Sequence, residues 1–135
     1  MAYLRIAQAA FNAKDDAGTL KEAAKLVGRY PKSAEATDGL DLMEAVFDRS
    51  KGLDYKGVLR QVIEANANHP IAGEAQFRLA RRAFEDKDFA NAAKEFQQFS
   101  VEFTNHAELP KAQFYLGEIA YLDRNYIGVE SWSYF

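Results

Sequence analysis

Residues 85–96 read EDKDFANAAKEF, a charged turn followed by an aromatic residue and an apolar stripe. Ala92 and Phe96 stand four residues apart in this stripe, the spacing that places two side chains on one face of a helix. One ordinary amphipathic helix begins in this way, and so does each copy of a repeated helical unit. Recurrence along the chain distinguishes the two cases, and a repeat would determine the whole architecture.

The pattern recurs four times. In each copy an alanine precedes an apolar residue by four positions and a small or short residue by five. We call these the register alanines: Ala2, Ala36, Ala75 and Ala112. Their successive separations of 34, 39 and 37 residues fit a 34-residue unit with insertions of five and three residues. The first insertion, DRSKGL, should lengthen the first helix or turn of copy two and place residues 50–52 on a mobile edge.

Each copy has the pattern of two helices. The first carries apolar or small residues at positions i, i+4, i+5 and i+8, a helical stripe that a second helix can approach closely. A short polar turn follows, and Asp54, Asp88 and Asn125 end such turns with side chains suited to cap the next helix. Pro31 and Pro70 then close the first two copies, because proline disfavours a helical conformation in the residue before it. No segment sustains the alternation of a strand.

The unit resembles the tetratricopeptide repeat, a helix-turn-helix of 34 residues. The residues that carry the resemblance are Leu116-Gly117, Asp88-Phe89, Ala92 with Phe96, and Pro70. The resemblance implies an all-α, right-handed α-solenoid with about seven full helices and a partial eighth. We expect a single domain over residues 1–135, a fragment of a longer protein. Its repeats would span about 1–34, 35–72, 73–109 and an incomplete 110–135.

In tetratricopeptide proteins the first helices of the repeats line a concave groove, and the resemblance implies that a partner segment binds there. Residues two, six and nine positions after each register alanine should face this groove. From this register we predict partner contacts at Leu4, Gln8, Phe11, Phe77, Arg81, Phe84, Phe114, Glu118 and Tyr121. In copy two the same positions hold Asp38, Leu42 and Ala45.

Four of these residues, Phe77, Phe84, Phe114 and Tyr121, would form an aromatic patch across copies three and four. The alternative for each of them is packing between neighbouring helices, since aromatic residues at helical spacing often belong to a core. Arg81 and Glu118 occupy equivalent places in adjacent copies. They would either pair with each other or meet charges of the partner.

Composition and motifs argue against other classes of protein. A net charge of −3 does not favour nucleic acid, which requires a concentrated basic surface. No apolar run approaches the ~18 residues of a membrane span, and the chain contains no cysteine. His69 and His106 lie in loops without a second ligand at metal spacing. We therefore expect no enzymatic activity, no metal and no cofactor, and a protein or peptide as the partner.

The ends and junctions of the repeats support two further expectations. The junctions YPKSAEA and HPIAGEAQFRLA and the stretch LPKAQFYLGEIAY resemble bacterial cell-envelope relatives of the outer-membrane-assembly lipoprotein and Tol–Pal-associated coordinator types. This resemblance implies the periplasm or cell envelope, with the cytoplasm as the alternative. The C-terminal aromatics Trp132, Tyr134 and Phe135 predict self-association, as in a homodimer. An assembly module that stacks end to end is therefore the alternative function.

Overall fold

Seven α-helices make up the part of the chain that the structure, a computed structural model, describes: residues 2–50, 52–67 and 69–127. They are α1 (Ala2–Asn12), α2 (Asp16–Arg29), α3 (Ala34–Arg49), α4 (Tyr55–Ala65), α5 (Pro70–Glu85), α6 (Phe89–Glu102) and α7 (Leu109–Ile127). No strand occurs within these ranges, so the predicted all-α fold is confirmed. The predicted partial eighth helix was to begin at Asn125; residues 125–127 belong to α7, and the remainder, 128–135, lies outside the described residues. The right-handed sense of the stack stays a prediction.

The turn inside a helix pair has the same geometry in copies one and three. Lys14 and Lys87 each stand twelve residues after their register alanine, and both adopt the left-handed backbone conformation, with φ of 62° and 63°. The next residues, Asp15 and Asp88, each donate their backbone N–H to a carbonyl five residues earlier at 2.9 Å. Two turns 73 residues apart in sequence therefore close in the same way, as expected of a repeated unit.

Two of the three predicted helix caps are confirmed. Oδ1 of Asp54 accepts a hydrogen bond from the N–H of Gly57 at 3.0 Å, and Oδ1 of Asp88 accepts one from Asn91 at 3.5 Å. The third prediction, a turn and a cap at Asn125, is wrong because α7 continues as one helix through this position. The segment LDRNYI is polar but contains no proline or glycine, the residues that most strongly interrupt a helix.

In copy one the cap is Asp15 rather than the neighbouring Asp16. Oδ1 of Asp15 accepts a hydrogen bond from the N–H of Gly18 at 3.0 Å. A Cβ atom on Gly18 would collide with that carboxylate, and the same holds for Gly57 and Asp54 in copy two. These glycines therefore let the capping carboxylate approach the first turn of the helix closely.

The helix contacts divide the chain into two compact units, Met1–Ala75 and Gln76–Phe135, with the boundary inside α5. In the first unit α2 contacts α1, α3 and α4, and α1 also contacts α3. Helices thus pack against the next helix and also against the one after it, the arrangement expected of stacked helix pairs. The interior of this unit includes Ala23, Leu26, Val27, Leu40, Met43, Val46 and Leu59, all at most 1% exposed.

The core of the second unit is aromatic. Phe96 and Phe99 on α6 are completely buried. The ring of Phe77 on α5 meets them edge to face, with centroids 5.7 and 5.6 Å away. Tyr115 on α7 stacks on Phe96 at 4.8 Å with an interplanar angle of 9°. Ring contacts of this kind add about 0.5–1.5 kcal/mol each to the burial of apolar area.

The DRSKGL insertion lengthens α3 as predicted. This helix ends 13 residues after its register alanine, whereas α1 and α5 end ten residues after theirs. The mobility of the predicted edge, residues 50–52, stays a prediction, but its first residue and the neighbouring Arg49 hold the α1–α2 turn. Nε of Arg49 donates to Asp16 at 2.8 Å, and its Nη2 donates to the carbonyl of Phe11 at 3.1 Å. Ser50 also donates a hydrogen bond to Asp16.

This cluster makes the stability of the first unit pH-dependent. The hydroxyl of Ser50, and then the guanidinium of Arg49, hold the pKa of Asp16 below its ordinary value of 3.8. A carboxyl group with a lowered pKa in the folded state stabilises the fold above its unfolded pKa. That contribution is lost as the pH falls through the folded value. We expect Asp16→Asn to lower the urea midpoint at pH 7, and the difference from the parent to shrink below about pH 4.

The exposed carboxyl group of Asp38 on α3 offers a matched control, since Asp38→Asn removes the same charge. This control should leave the urea midpoint almost unchanged at both pH values. An equal loss of stability for Asp16→Asn at pH 7 and at pH 3 would contradict the ionic role of Asp16.

Candidate functional site

The last described helix, α7, packs on α6 with one side and leaves the opposite side uncovered by the described residues. Its inner residues include Ile119, which is 5% exposed. On the other side Phe114 and Tyr121 are 65% and 59% exposed. Seven residues correspond to nearly two full turns, so both rings lie on one line along the helix. We call Phe114, Glu118 and Tyr121 the outer face of α7.

Exposure of this size is costly for large aromatic residues. Burying a phenylalanine side chain contributes about 1.5–3 kcal/mol relative to leaving it in water. An isolated exposed apolar residue needs no explanation, but aligned aromatic residues on one face mark a contact surface. The outer face of α7 is therefore the strongest candidate for a binding surface in the second unit.

Phe77 was predicted to line the groove together with Phe114, and this prediction is wrong. The two residues hold the same position relative to their register alanines, yet Phe77 is 3% exposed. Its ring contacts Phe96, Phe99 and Tyr115, so α6 and α7 together close over it. Phe114 lies on the last described helix, where no described residue covers the same position.

Phe84 lies at the margin of the same aromatic core. It is half-buried, and its ring contacts Phe89 at 5.5 Å and Tyr115 at 4.9 Å. The predicted patch of four aromatics therefore reduces to Phe114 and Tyr121. Tyr115 is a residue that the sequence reasoning missed. Its spacing could have indicated a core position: Tyr115 follows the register alanine Ala112 by three residues and so lies on the same side of the helix.

The structure shows an ion pair for Arg81, the basic member of the predicted Arg81–Glu118 pair, but with a different acidic residue. Nε of Arg81 lies 3.6 Å from Oε1 of Glu85, one helical turn further along α5. An i,i+4 pair of this kind contributes about 0.2–0.5 kcal/mol, so it is a modest support for α5. Glu118 is half-buried on the outer face of α7, and its pairing with Arg81 stays a prediction.

The predicted groove residues of copy one lie on α1, in the first unit. Leu4 is half-buried and Gln8 is exposed. Phe11 is half-buried because the guanidinium of Arg49 covers its ring at 4.0 Å from the centroid. Phe11 thus takes part in the cluster that fastens α3, which makes it a structural residue. In copy two Asp38 is exposed, and Leu42 and Ala45 are half-buried.

A second edge of α7 can be recognised by comparison with α5. In α5, Gln76, Ala80 and Ala83 are at most 3% exposed. Ala80 and Ala83 belong to the same core cluster as residues of α6. Nε2 of Gln76 donates to the backbone carbonyl of Glu95 at 3.0 Å and to its Oε2 at 2.7 Å. These residues of α5 therefore form the seat on which α6 packs.

The matching residues of α7, 37 positions later, are Gln113, Gly117 and Ala120. All three are exposed. A Cβ atom added to Gly117 would meet nothing within 4 Å among the described residues. We call these three residues the lateral face of α7. It has the small residues of a helix-packing seat, but no described residue occupies it.

The predicted self-association residues, Trp132, Tyr134 and Phe135, lie outside the described residues. Among the residues that are described, no group of three His, Cys, Asp or Glu side chains is placed to hold a metal ion. Within the same part of the chain, no helix combines the length and the apolar character that a bilayer crossing requires. His106 has a local role, since its Nδ1 accepts a hydrogen bond from the N–H of Glu108 at 3.0 Å just before α7.

Comparison of the chain with protein-family models, with curated proteins and with solved structures gives no match in any of the three. The resemblance to tetratricopeptide proteins rests on features of the chain itself: the register of the alanines, the capped turns and the order of helix contacts.

Phe77 and Phe114 provide a matched pair for testing these assignments. We expect Phe77→Ala to lower the free energy of unfolding by about 3–5 kcal/mol, because it leaves a cavity in the aromatic core. Phe114→Ala should change it by less than about 0.5 kcal/mol, because the side chain is mostly in water. Urea denaturation followed by circular dichroism measures both. Equal losses in the two variants would show that Phe114 is also a core residue.

Proposed function

We propose that this chain is a non-catalytic binding module of the tetratricopeptide type, which holds a segment of a partner protein on the outer face of α7. The observation that carries the proposal is the exposure of Phe114 and Tyr121 on one line of a helix whose other side is packed. At protein interfaces a few anchor residues, often aromatic, typically supply most of the binding free energy. The repeat architecture supports the same function, since stacked helix pairs present extended binding surfaces.

The chemistry of the outer face defines the partner segment. Phe114 and Tyr121 are separated by about 10 Å along the helix axis, at ~1.5 Å per residue. Glu118 lies between them and supplies a negative charge. A complementary segment would offer two apolar side chains at this spacing and a basic side chain between them. An amphipathic helix presents such side chains at positions i, i+4 and i+7.

The proposed location is the bacterial periplasm or cell envelope, supported by the junction sequences of the repeats; the cytoplasm is the alternative. Fractionation of source cells that express the full-length gene product, with the protein detected in each fraction, tests this location. Recovery of the protein in the cytoplasmic fraction alone would overturn it.

A second candidate function is an assembly module that stacks end to end. The lateral face of α7 favours it, because Gln113, Gly117 and Ala120 repeat the seat that α6 occupies on α5. A helix of a second copy would cover this face as α6 covers its seat. That helix of the second copy would carry small residues at its crossing with Gly117, and large apolar residues on either side of the crossing.

Partner binding can be tested on the outer face. A partner captured from the source cell would be titrated against the parent, Phe114→Ala and Tyr121→Ala by calorimetry. We expect each variant to lose at least about tenfold in affinity, since truncating an anchor of this kind typically costs ~2 kcal/mol or more. Val101→Ala is the matched control, because Val101 is an apolar residue on α6 that is 76% exposed. Unchanged affinity in both aromatic variants would refute the outer face as the binding site.

Stacking can be tested by light scattering over a wide range of protein concentration. We expect the parent to increase in mass with concentration and Gly117→Gln to remain monomeric, because the longer side chain blocks close approach of a helix. The substitution meets open space within the described residues, so the fold should tolerate it. Trp132→Ser reports separately on the C-terminal aromatics. A parent that is monomeric at every concentration would exclude the assembly function.

A further inference from the structure

A second concave site lies in the first unit, where the chain passes from α2 to α3. The site is a cleft of about 430 Å³ lined by Arg29, Tyr30, Pro31, Lys32, Ser33 and His69. Five of these residues are consecutive, from the last residue of α2 to the residue before α3, and the sixth directly precedes α5. The volume falls in the range of sites that hold small ligands or a few residues of a peptide.

Hydrogen bonds and a proline hold the turn in place. The N–H of Tyr30 donates to the carbonyl of Leu26 at 3.0 Å. The N–H and the hydroxyl of Ser33 both donate to the carbonyl of Tyr30, at 3.0 and 2.8 Å. Oγ of Ser33 in turn accepts from the N–H of Ala36, which caps α3. Pro31 restricts the backbone between these residues. The cleft is therefore preformed, and ordering it on binding costs little.

The charges of the cleft are all positive. Arg29 and Lys32 are both exposed and contribute two cations, and no acidic residue lines the site. Neither cation forms an ion pair with a described residue. The guanidinium of Arg29 lies over the ring of Tyr3, 5.4 Å from its centroid. This contact uses the plane of the guanidinium and not its N–H donors. With no ion pair to either cation among the described residues, the charge of this cleft is suited to an anionic ligand.

His69 also has polar capacity that the fold does not use. Its Nδ1 is buried and has no hydrogen-bond partner among the described residues. A buried polar atom without a partner costs about 1–3 kcal/mol, so stability does not explain an imidazole at this position. Its counterpart before α7, His106, does satisfy Nδ1 within the fold. Because this nitrogen has almost no accessible surface, a ligand in the cleft would contact other atoms of the imidazole.

We propose that this cleft binds a peptide through a carboxylate, with Arg29 and Lys32 holding the carboxylate and Tyr30 and Pro31 contacting an adjacent apolar side chain. The planar fork of a guanidinium matches the two oxygens of a carboxylate. The N–H groups of Ser33 and Ala36 at the start of α3 are already engaged, so the two side-chain cations are the main donors to an anion. Tyr30 is 42% exposed, which leaves ring surface for the ligand.

This site is independent of the outer face of α7, which lies in the other unit, and it extends the proposed function by a second contact of defined chemistry. The carboxylate has two possible sources in a partner protein: the chain terminus and an acidic side chain. Three labelled pentapeptides distinguish them. The first ends in leucine with a free carboxylate, the second is its C-terminal amide, and the third is the amide with a glutamate directly before the leucine.

Fluorescence anisotropy at about 50 mM salt measures binding of each peptide to the full chain. We expect at least one carboxylate peptide to bind and the neutral amide to bind at least tenfold more weakly. Arg29→Gln and Lys32→Gln should each weaken binding about tenfold. Lys21→Gln, which removes the same charge from an exposed position on α2 outside the cleft, should not. Phe114→Ala should also leave this binding unchanged, so that failure here is separate from failure on α7.

The peptide measurements separate the two sources of the carboxylate and can also overturn the proposal. Binding of the free-terminus peptide alone assigns the cleft to a chain end, and binding of the glutamate peptide alone assigns it to an acidic side chain. Equal binding of the amide, equal loss in Lys21→Gln, or no binding at millimolar peptide would overturn the proposal. Inorganic phosphate that displaces the peptide at an equal concentration would overturn the assignment to carboxylate.

Discussion

A helix with one apolar stripe is stable in water only when another helix covers that stripe, and this requirement organises the described part of the chain. The clearest case is the seat on α5, where Ala80 and Ala83 are small enough for α6 to bring Phe96 into the core. Completely buried phenylalanines contribute more to the free energy of folding than any capping hydrogen bond in the chain. The caps and turns place the helices, and the covered stripe holds them together.

The sequence was sufficient to predict the elements that depend on neighbouring residues. The caps at Asp54 and Asp88 and the lengthening of α3 follow from short-range patterns, and the structure confirms them. The turn at Asn125 was wrong because a polar segment can be a turn or the exposed side of a continuing helix. Local pattern alone cannot separate the two when no glycine or proline is present.

Features that depend on distant residues were not predictable in this way. Phe77 and Phe114 occupy one position in the register, and only the helices that follow in space decide which of them is buried. The hydrogen bonds from Arg49 to Asp16 join residues 33 positions apart, so no local pattern indicates them. The cleft at the α2–α3 turn needs His69 from a later junction, and this proximity arises only in the folded chain.

The two candidate surfaces differ in chemistry as well as in position. The outer face of α7 is aromatic and carries one acidic residue, whereas the cleft of the first unit is basic with an aromatic and a proline in its wall. A binding module with both would recognise an apolar segment and a carboxylate through separate contacts. Each contact alone can be weak, since two linked contacts bind with an increased effective concentration.

Both proposals for α7 depend on one central claim: this helix repeats the helix-packing positions of α5, and the described residues leave those positions open. Because the chain has no cysteine, single thiols report on the seat directly. The rate of thiol modification would be measured for Ala80→Cys and Gly117→Cys at low protein concentration. A fast rate at position 117, close to that of a free peptide, with protection at position 80, is the predicted result. Equal protection at both positions would show that the seat on α7 is covered, and would contradict the account.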